Sequence, residues 1–311
     1  MNDKNTSGGH SGHAMPKGNV RALRISGWLT GIYFLIELGI GYWSGSVAVI
    51  SDAFHTFSAV GGILIALVAG HFSTRPASQY ATFGLIRSEI IGALFNGLFL
   101  LLMAIYVLWM GYERLMSPVE VPAGPMLLAA GGGLITEVIA LWLLFGSDKD
   151  NLNMKGAIWH VVQTFVGSII IIIAAVVIYF TGFYQIDPIL GMSFGLVLFW
   201  ASWGIIKEAT TILLQTVPKD LDLTKMIAAI ETIEDVQDLH HTHAWALTTG
   251  KNIVSMHVRV ADLAVQEELL EEIHHLLKEQ FSVYFSTIQI EVECPEGDAA
   301  SDIEMNLHAE H

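Results

Sequence analysis

Positive charge is scarce in this chain of 311 residues, where 15 lysines and arginines stand against 30 aspartates and glutamates. A protein that binds nucleic acid through phosphates needs a basic stripe or patch. Without one, nucleic acid is excluded as a partner. Cysteine is scarcer still: with Cys294 alone, neither an internal disulfide nor a zinc site of paired cysteines can form. Charged residues make up only 14% of the chain, against about 25% in soluble globular proteins. Apolar and aromatic residues reach 53% and the mean hydropathy is +0.53. No His-Glu-x-x-His occurs, so the helix signature of a zinc protease is absent.

What is present is segregated. Six apolar stretches run over Ile25–Tyr42, Val47–Ala69, Ile90–Met110, Met126–Phe145, Ala157–Phe180 and Ile189–Ile206. Each approaches or exceeds the roughly 18–20 residues that a helix needs to cross a bilayer. The first follows a polar tail, carries Glu37 and lacks a small-residue cleavage site, so it reads as a span and not a cleaved leader. Lys4, Lys17, Arg21 and Arg24 precede the first span, and Arg75, Arg87, Lys149, Lys155, Lys207 and Lys219 fall in alternate connections. The other connections hold only Arg114, which predicts that both termini are cytoplasmic.

From Gln215 onward there are 19 acidic and 5 basic residues, so −14 of the net −15 lies there. That region predicts a helix at Leu223–Thr232, strands at Val236–Leu247 and Ile253–Val260, a helix at Leu263–Gln280 and a strand at Tyr284–Val292. The order αββαβ implies an α+β sandwich with helices on one face of a three-stranded sheet. The expected division is a disordered tail at 1–20, a six-helix membrane domain at 21–213, a cytoplasmic domain at 214–294 and a disordered acidic, histidine-bearing tail at 295–311.

Ionisable residues within spans are costly and mark functional sites. They are Glu37 in the first span, Asp52 and His55 in the second, Glu137 in the fourth and His160 in the fifth. Folding each hairpin about its turn, near Gly45 and near Lys149, sets all five roughly 10–18 Å below their own surface. Asp52 and His55 are three residues apart and share a helix face. Two imidazoles with two or three carboxylates at one depth are the donors that a zinc-like cation takes. Plainer roles stand beside this one. Glu37 has no ligand-type residue at coordinating spacing and reads as a structural carboxylate, and Asp52 also suits a helix N-cap after Gly45-Ser46-Val47. Glu137 is a ligand, a proton carrier or a neutral buried acid.

These residues lie in segments that resemble the cation diffusion facilitator family, divalent-metal/proton antiporters with six transmembrane helices and a cytoplasmic ferredoxin-like domain. The resemblance covers about Val20–Glu293. It is carried by Ser44-Gly-Ser-Val-Ala-Val-Ile-Ser-Asp52-Ala-Phe-His55, Phe83-Gly-Leu-Ile-Arg87-Ser-Glu89-Ile, Asn151-Leu-Asn-Met-Lys-Gly156-Ala-Ile-Trp-His160, Asp187-Pro-Ile-Leu, Val217-Pro-Lys-Asp-Leu-Asp222-Leu, Leu239-His-His-Thr-His-Ala-Trp245-Ala-Leu and Ser255-Met-His257-Val. Zinc-transporting members place His-x-x-x-Asp on the second and fifth spans. Here both histidines match, as His55 and His160, but the aspartate positions hold Ala59 and Thr164. An accessory loop site of the Pro-Ala-Asp-x-x-His type is also missing, since the loop reads Pro76-Ala-Ser-Gln-Tyr-Ala81. Glu137 stands where family members often carry Asn, so Asp52, His55, Glu137 and His160 form the expected intramembrane metal set.

In the cytoplasmic domain the resemblance implies metal ligands at His240, His257, Glu291 and Glu293; a surface histidine cluster without an ion is the alternative. By strand alternation, Glu291 and Glu293 share a face, as do His241 and His243. The resemblance implies a homodimer in a bacterial inner membrane that expels a divalent cation, zinc foremost, against protons. It has no prosthetic group, the cation being substrate and possible regulator. The lost aspartates leave open a divergent member with another substrate (Mn, Fe, Co or Cd) or a metal-responsive subunit that does not pump.

Overall fold

The computed structural model describes residues 17–73, 75–145 and 152–293, with side chains except those at 17–24, 58–60, 62–67, 69–71, 73, 144–145 and 152–160. The tail regions expected to be disordered fall, for 1–16 and 295–311, outside the described residues. Six helices occupy the apolar stretches: α1 (Lys17–Ser44), α2 (Val47–Ser73), α3 (Ser88–Met116), α4 (Ala123–Phe145), α5 (Leu152–Thr181) and α6 (Ile186–Leu213). Their 23–30 residues exceed the roughly 20 that span a hydrocarbon core. Trp28, Trp43, Trp142, Phe180 and Trp200 are 74–79% exposed, an outer face suited to lipid and a liability in water. Residues up to Leu64 with Asn96–Trp203 form one compact unit, and Ile65–Phe95 with the chain from Gly204 form another.

Small side chains build the interior of the first unit. Ala129 and Ala130 of α4 and Ala174 and Ala175 of α5 pack with Ala48 and Val49 of α2. Such residues let helix backbones approach where lipid offers no hydrophobic driving force. The other side of the first turns of α2, at Val47, Ile50 and Phe54, packs on Ala104, Val107 and Leu198 of α3 and α6.

The start of α2 is fixed from another helix. Val47 is its first residue, so Asp52 lies in the second turn and is not its cap. Ser46 Oγ accepts from Val49 N at 3.1 Å and donates to Asp187 Oδ1 at 2.5 Å. Asp187, at the start of α6, also accepts from Val47 N at 2.7 Å and Ala48 N at 3.2 Å. The free N–H groups of a helix start thus meet an anion, which the helix dipole also favours. One turn further along α6, a Cβ on Gly191 would stand 2.7 Å from Ala48 N and from Val47 C, so only glycine permits this approach. The Arg114 guanidinium covers the Gly45 turn and attracts the same Asp187 carboxylate.

The C-terminal region has the expected order: α7 (Leu223–Glu231), β1 (Val236–Thr248), β2 (Lys251–Val260), α8 (Gln266–Phe281) and β3 (Val283–Glu291). The sheet order is β1-β2-β3, with β1–β2 antiparallel and β2–β3 parallel. Two residues, Thr249 and Gly250, close the β1–β2 hairpin with Gly250 at φ +73°. A parallel pair needs a crossover, and α8 supplies it, burying Leu269, Ile273 and Leu277 on one stripe. That helix starts three residues later than expected because Asp262 caps a 3-10 turn at Leu263–Val265. Leu239, Val254, Met256, Val258, Met226 and Ile230 complete the core.

Removing the Asp187 carboxylate strands three buried donors at roughly 1–3 kcal/mol each. Asp187→Ala is therefore expected to lower the melting temperature in detergent sharply, with Asp187→Asn lying between. Gly191→Ala, which forces backbone apart, should destabilise by about 1–3 kcal/mol in the same thermal assay. An unchanged melting temperature in both variants would contradict the clasp.

Candidate metal centres

Three helices bring acidic groups to one place in the first unit, and a fourth adds hydroxyls. Glu37 on α1, Asp52 on α2 and Glu137 on α4 are 1%, 2% and 7% exposed. The carboxyl groups of Glu37 and Asp52 are within hydrogen-bonding reach of each other, and Glu137 is close enough to repel both. Glu137 Oε1 accepts from Ser168 Oγ of α5 at 3.0 Å. The Thr164 hydroxyl, which donates to Val161 O at 2.9 Å, is within reach of the same carboxylate. Among the described residues, no Lys or Arg pairs with these three acids, and apart from the Glu37–Asp52 approach both Glu37 oxygens, Asp52 Oδ1 and Glu137 Oε2 have no hydrogen-bond partner.

Glycine makes the approach possible. A Cβ on Gly167 of α5 would overlap the Asp52 carboxyl group, so α5 presents bare backbone there. Tyr33 of α1 donates to Ala129 O, and its ring lies against Gly132 of α4. A cavity of ≈ 20 Å³, lined by Thr30, Tyr33, Thr56, Thr136, Thr164 and Glu137 among others, adjoins the acids. Its size and hydroxyls suit about one water.

The sequence-derived set divides. Asp52 and Glu137 are gathered, and Glu37, read above as structural, sits against Asp52. His55 is half-buried on α2, its ring 5.3 Å from that of Phe194 on α6. The His160 side chain and that of Ala59 lie outside the described residues. Among the described residues, no three of the intramembrane acids and His55 bring ligand atoms within 4.8 Å of one another. The matched depths of Glu37 and Asp52 were the sequence signal for their contact; nothing in the sequence signalled Ser168 or Gly167. The stretch Gly191-Met192-Ser193-Phe194-Gly195 has a hydrolase-like spacing, but it is continuous helix in α6 and Ser193 Oγ donates to Ile189 O at 2.8 Å. The strand-to-turn elbow that exposes a nucleophile is absent there.

The second candidate is in the C-terminal domain. His240 on β1 pairs across the ladder with His257 on β2, and Glu291 closes the group from β3. The ligand atoms of these three lie within 4.8 Å of one another. His240 Nε2 meets Glu291 Oε1 at 2.7 Å, and His257 Nδ1 stands 3.5 Å from the same oxygen. The Nδ1 atoms of both histidines are buried without a hydrogen bond. Burial raises the Glu291 pKa, but hydrogen bonds from Gln289 and His240 and the charges of His257 and His240 outweigh it, leaving the carboxyl below its ordinary value. Two imidazoles and a carboxylate preset in this way suit Zn²⁺. Glu293, beyond the end of β3, is exposed and not part of the group.

Strand alternation, which would set His240 on the face opposite His241 and His243, fails at a β-bulge. From His240 to His243, β1 advances three residues while β2 advances two, from His257 to Ser255. The extra residue breaks alternation, so His240 and His243 share the outer face while Leu239 and Ala244 both enter the core. His241 adopts φ +47° at the bulge. His274 hydrogen-bonds Ser286 at 2.7 Å. Glu89, at the start of α3, accepts from Thr248 at 3.4 Å.

Residues 23–214 match the cation efflux transmembrane domain, and residues 218–293 match the cation efflux protein cytoplasmic domain. The metal cation efflux system protein CzcD of Cupriavidus metallidurans is 38% identical over 295 residues, covering 94% of this chain and 93% of that protein. The zinc transporter ZitB of Escherichia coli is 32% identical over 304 residues, 97% of each chain. The cadmium, cobalt and zinc/H(+)-K(+) antiporter of Bacillus subtilis is 32% identical over 295 residues, 93% of this chain and 94% of that one. With six apolar helices around buried acids, a cytoplasmic α+β domain and these matches over nearly its whole length, the chain belongs to the cation efflux, or cation diffusion facilitator, family of multi-pass membrane transporters.

Proposed function

We infer that the protein expels a divalent cation, zinc foremost, from the cytoplasm in exchange for protons. It works as a homodimer in a bacterial inner membrane, with both termini cytoplasmic. The observation that carries this reading is the buried acid group of Glu37, Asp52 and Glu137, gathered beside a hydroxyl-lined cavity with no positive partner among the described residues. Like charges taken out of water are costly until a cation or protons neutralise them. A site of this kind has two occupants of matched charge, one M²⁺ or protons. The names of relatives support the finer points, since one is called a zinc transporter and another an antiporter using H(+). The alternation of Lys and Arg among the connections supports the orientation.

In the cycle, Asp52, His55, Glu137 and His160 hold the cation. Glu137 replaces the carboxylate lost at Ala59 or Thr164, with Ser168 steadying one of its oxygens. Histidine, whose ordinary pKa is about 6.5, changes from ligand to non-ligand over a modest pH interval. Protons from the more acidic side compete for both histidine and carboxylate, release the ion outward and reset the site. His55 has to leave Phe194 to join Asp52 and Glu137, which makes rotation about α2 or of the His55 side chain part of closure. In the cytoplasmic domain His240, His257 and Glu291 take a regulatory cation, and the acidic surface around them concentrates cations and holds two copies apart until metal neutralises it.

In proteoliposomes with an imposed pH gradient, zinc movement should fall at least about tenfold in Glu137→Gln and in His55→Ala, and collapsing the gradient should stop it in the wild type. Full transport by both variants would overturn the assignment. Gly167→Ala, whose methyl collides with Asp52, is expected to weaken transport and cost about 1–3 kcal/mol of thermal stability. Replacing Gly124, where a Cβ meets nothing, serves as the control.

A further inference from the structure

The β-bulge places a third imidazole beside the cytoplasmic histidine pair. The ring centroids of His240 and His241 are 5.3 Å apart, those of His240 and His257 5.4 Å, and those of His241 and His257 5.1 Å. Zinc holds an imidazole nitrogen at about 2.0–2.1 Å, which puts each ring centre about 3.2 Å from the ion and two rings at the tetrahedral angle about 5.2 Å apart. All three separations fall on that value. Regular alternation would have pointed His241 away from His240, into the opposite face of the sheet. The bulge, with His241 at φ +47°, turns it back. Histidine is among the residues enriched in this left-handed region.

We propose that His241 is a ligand of the cytoplasmic cation site, completing a three-imidazole, one-carboxylate shell with His240, His257 and Glu291, and that Glu293 is not. The proposal rests on the reading of that domain as cation-binding. His241 is 8% exposed, so it lies within the fold, whereas Glu293 is solvent-facing and outside the group of convergent ligand atoms. The nitrogen of His241 is not yet within the 4.8 Å set formed by the other three, and a rotation of the ring about its side-chain torsions delivers it. The His240 and Glu291 side chains already meet at 2.7 Å. A cation held between them draws the third ring inward. Three neutral nitrogens and one carboxylate favour zinc or cobalt over the hard ions Mg²⁺ and Mn²⁺, so the domain would discriminate among cytosolic cations.

The test uses the full-length protein in detergent with Co²⁺, whose visible absorption reports tetrahedral coordination, and with Zn²⁺ displacing it. His240→Ala should lower the bound metal by one equivalent per chain. His241→Asn keeps a residue that tolerates the left-handed backbone while removing the imidazole. It should weaken Co²⁺ binding at this site at least about tenfold and shift its absorption bands, whereas Glu293→Gln should change neither. If His240→Ala removes the equivalent but His241→Asn leaves affinity and bands unchanged, the assignment of His241 is overturned and the cytoplasmic site stands. If His240→Ala leaves stoichiometry unchanged, the cytoplasmic cation site itself is overturned, and the His241 proposal with it.

Discussion

A carboxylate buried among apolar helices has to be met by donors or by a cation, and the two ways this protein meets that demand organise its membrane region. Asp187 is fully supplied: a serine hydroxyl and two backbone N–H groups donate to it, and Arg114 attracts it. It is a structural acid, and it holds α6 against the first turn of α2. Glu37, Asp52 and Glu137 are about as deeply buried, yet only Glu137 is supported by side-chain hydroxyls of α5, and several oxygens of the three acids lack a donor. The difference in supply separates a clasp from a site.

That distinction bears on how the chain departs from its family. The two aspartates expected on α2 and α5 are Ala59 and Thr164. An acid on α4 has arrived in their place, with Thr164 and Ser168 within reach of it. One carboxylate on α4 thus stands against two positions, on α2 and α5, that carry none. A carboxylate on a different helix changes the geometry of the acid group and adds to the electrostatic demand of the buried acids.

The cytoplasmic domain solves a different problem. Its histidines do not face a hydrocarbon barrier, and they are assembled by strand pairing. His240 and His257 meet because they are ladder partners, Glu291 because β3 runs parallel beside β2, and His241 because one extra residue bends β1. The hydrogen bond from Thr248 to Glu89 ties the far end of the same strand to the first turn of α3.

Sequence alone determined the six spans, because twenty-odd apolar residues in a row admit few other fates. It also determined the αββαβ order, because helical and strand periodicities differ. The proximity of Glu37 and Asp52 was legible too, since a helix converts residue count from a shared turn into distance. It did not determine which acid has donors: Asp187 read as part of a motif, Asp52 as a possible cap and Glu37 as structural. Those roles depend on which helices touch, and glycines such as Gly167 and Gly191 settle that only once the bundle is closed. Strand alternation misplaced His241 for the same reason, since a bulge is a property of two strands in register and cannot be read from one. Composition and periodicity are local quantities and survive in the sequence. Close approach, donor supply and register are relations between distant segments, and only the tertiary structure decided them.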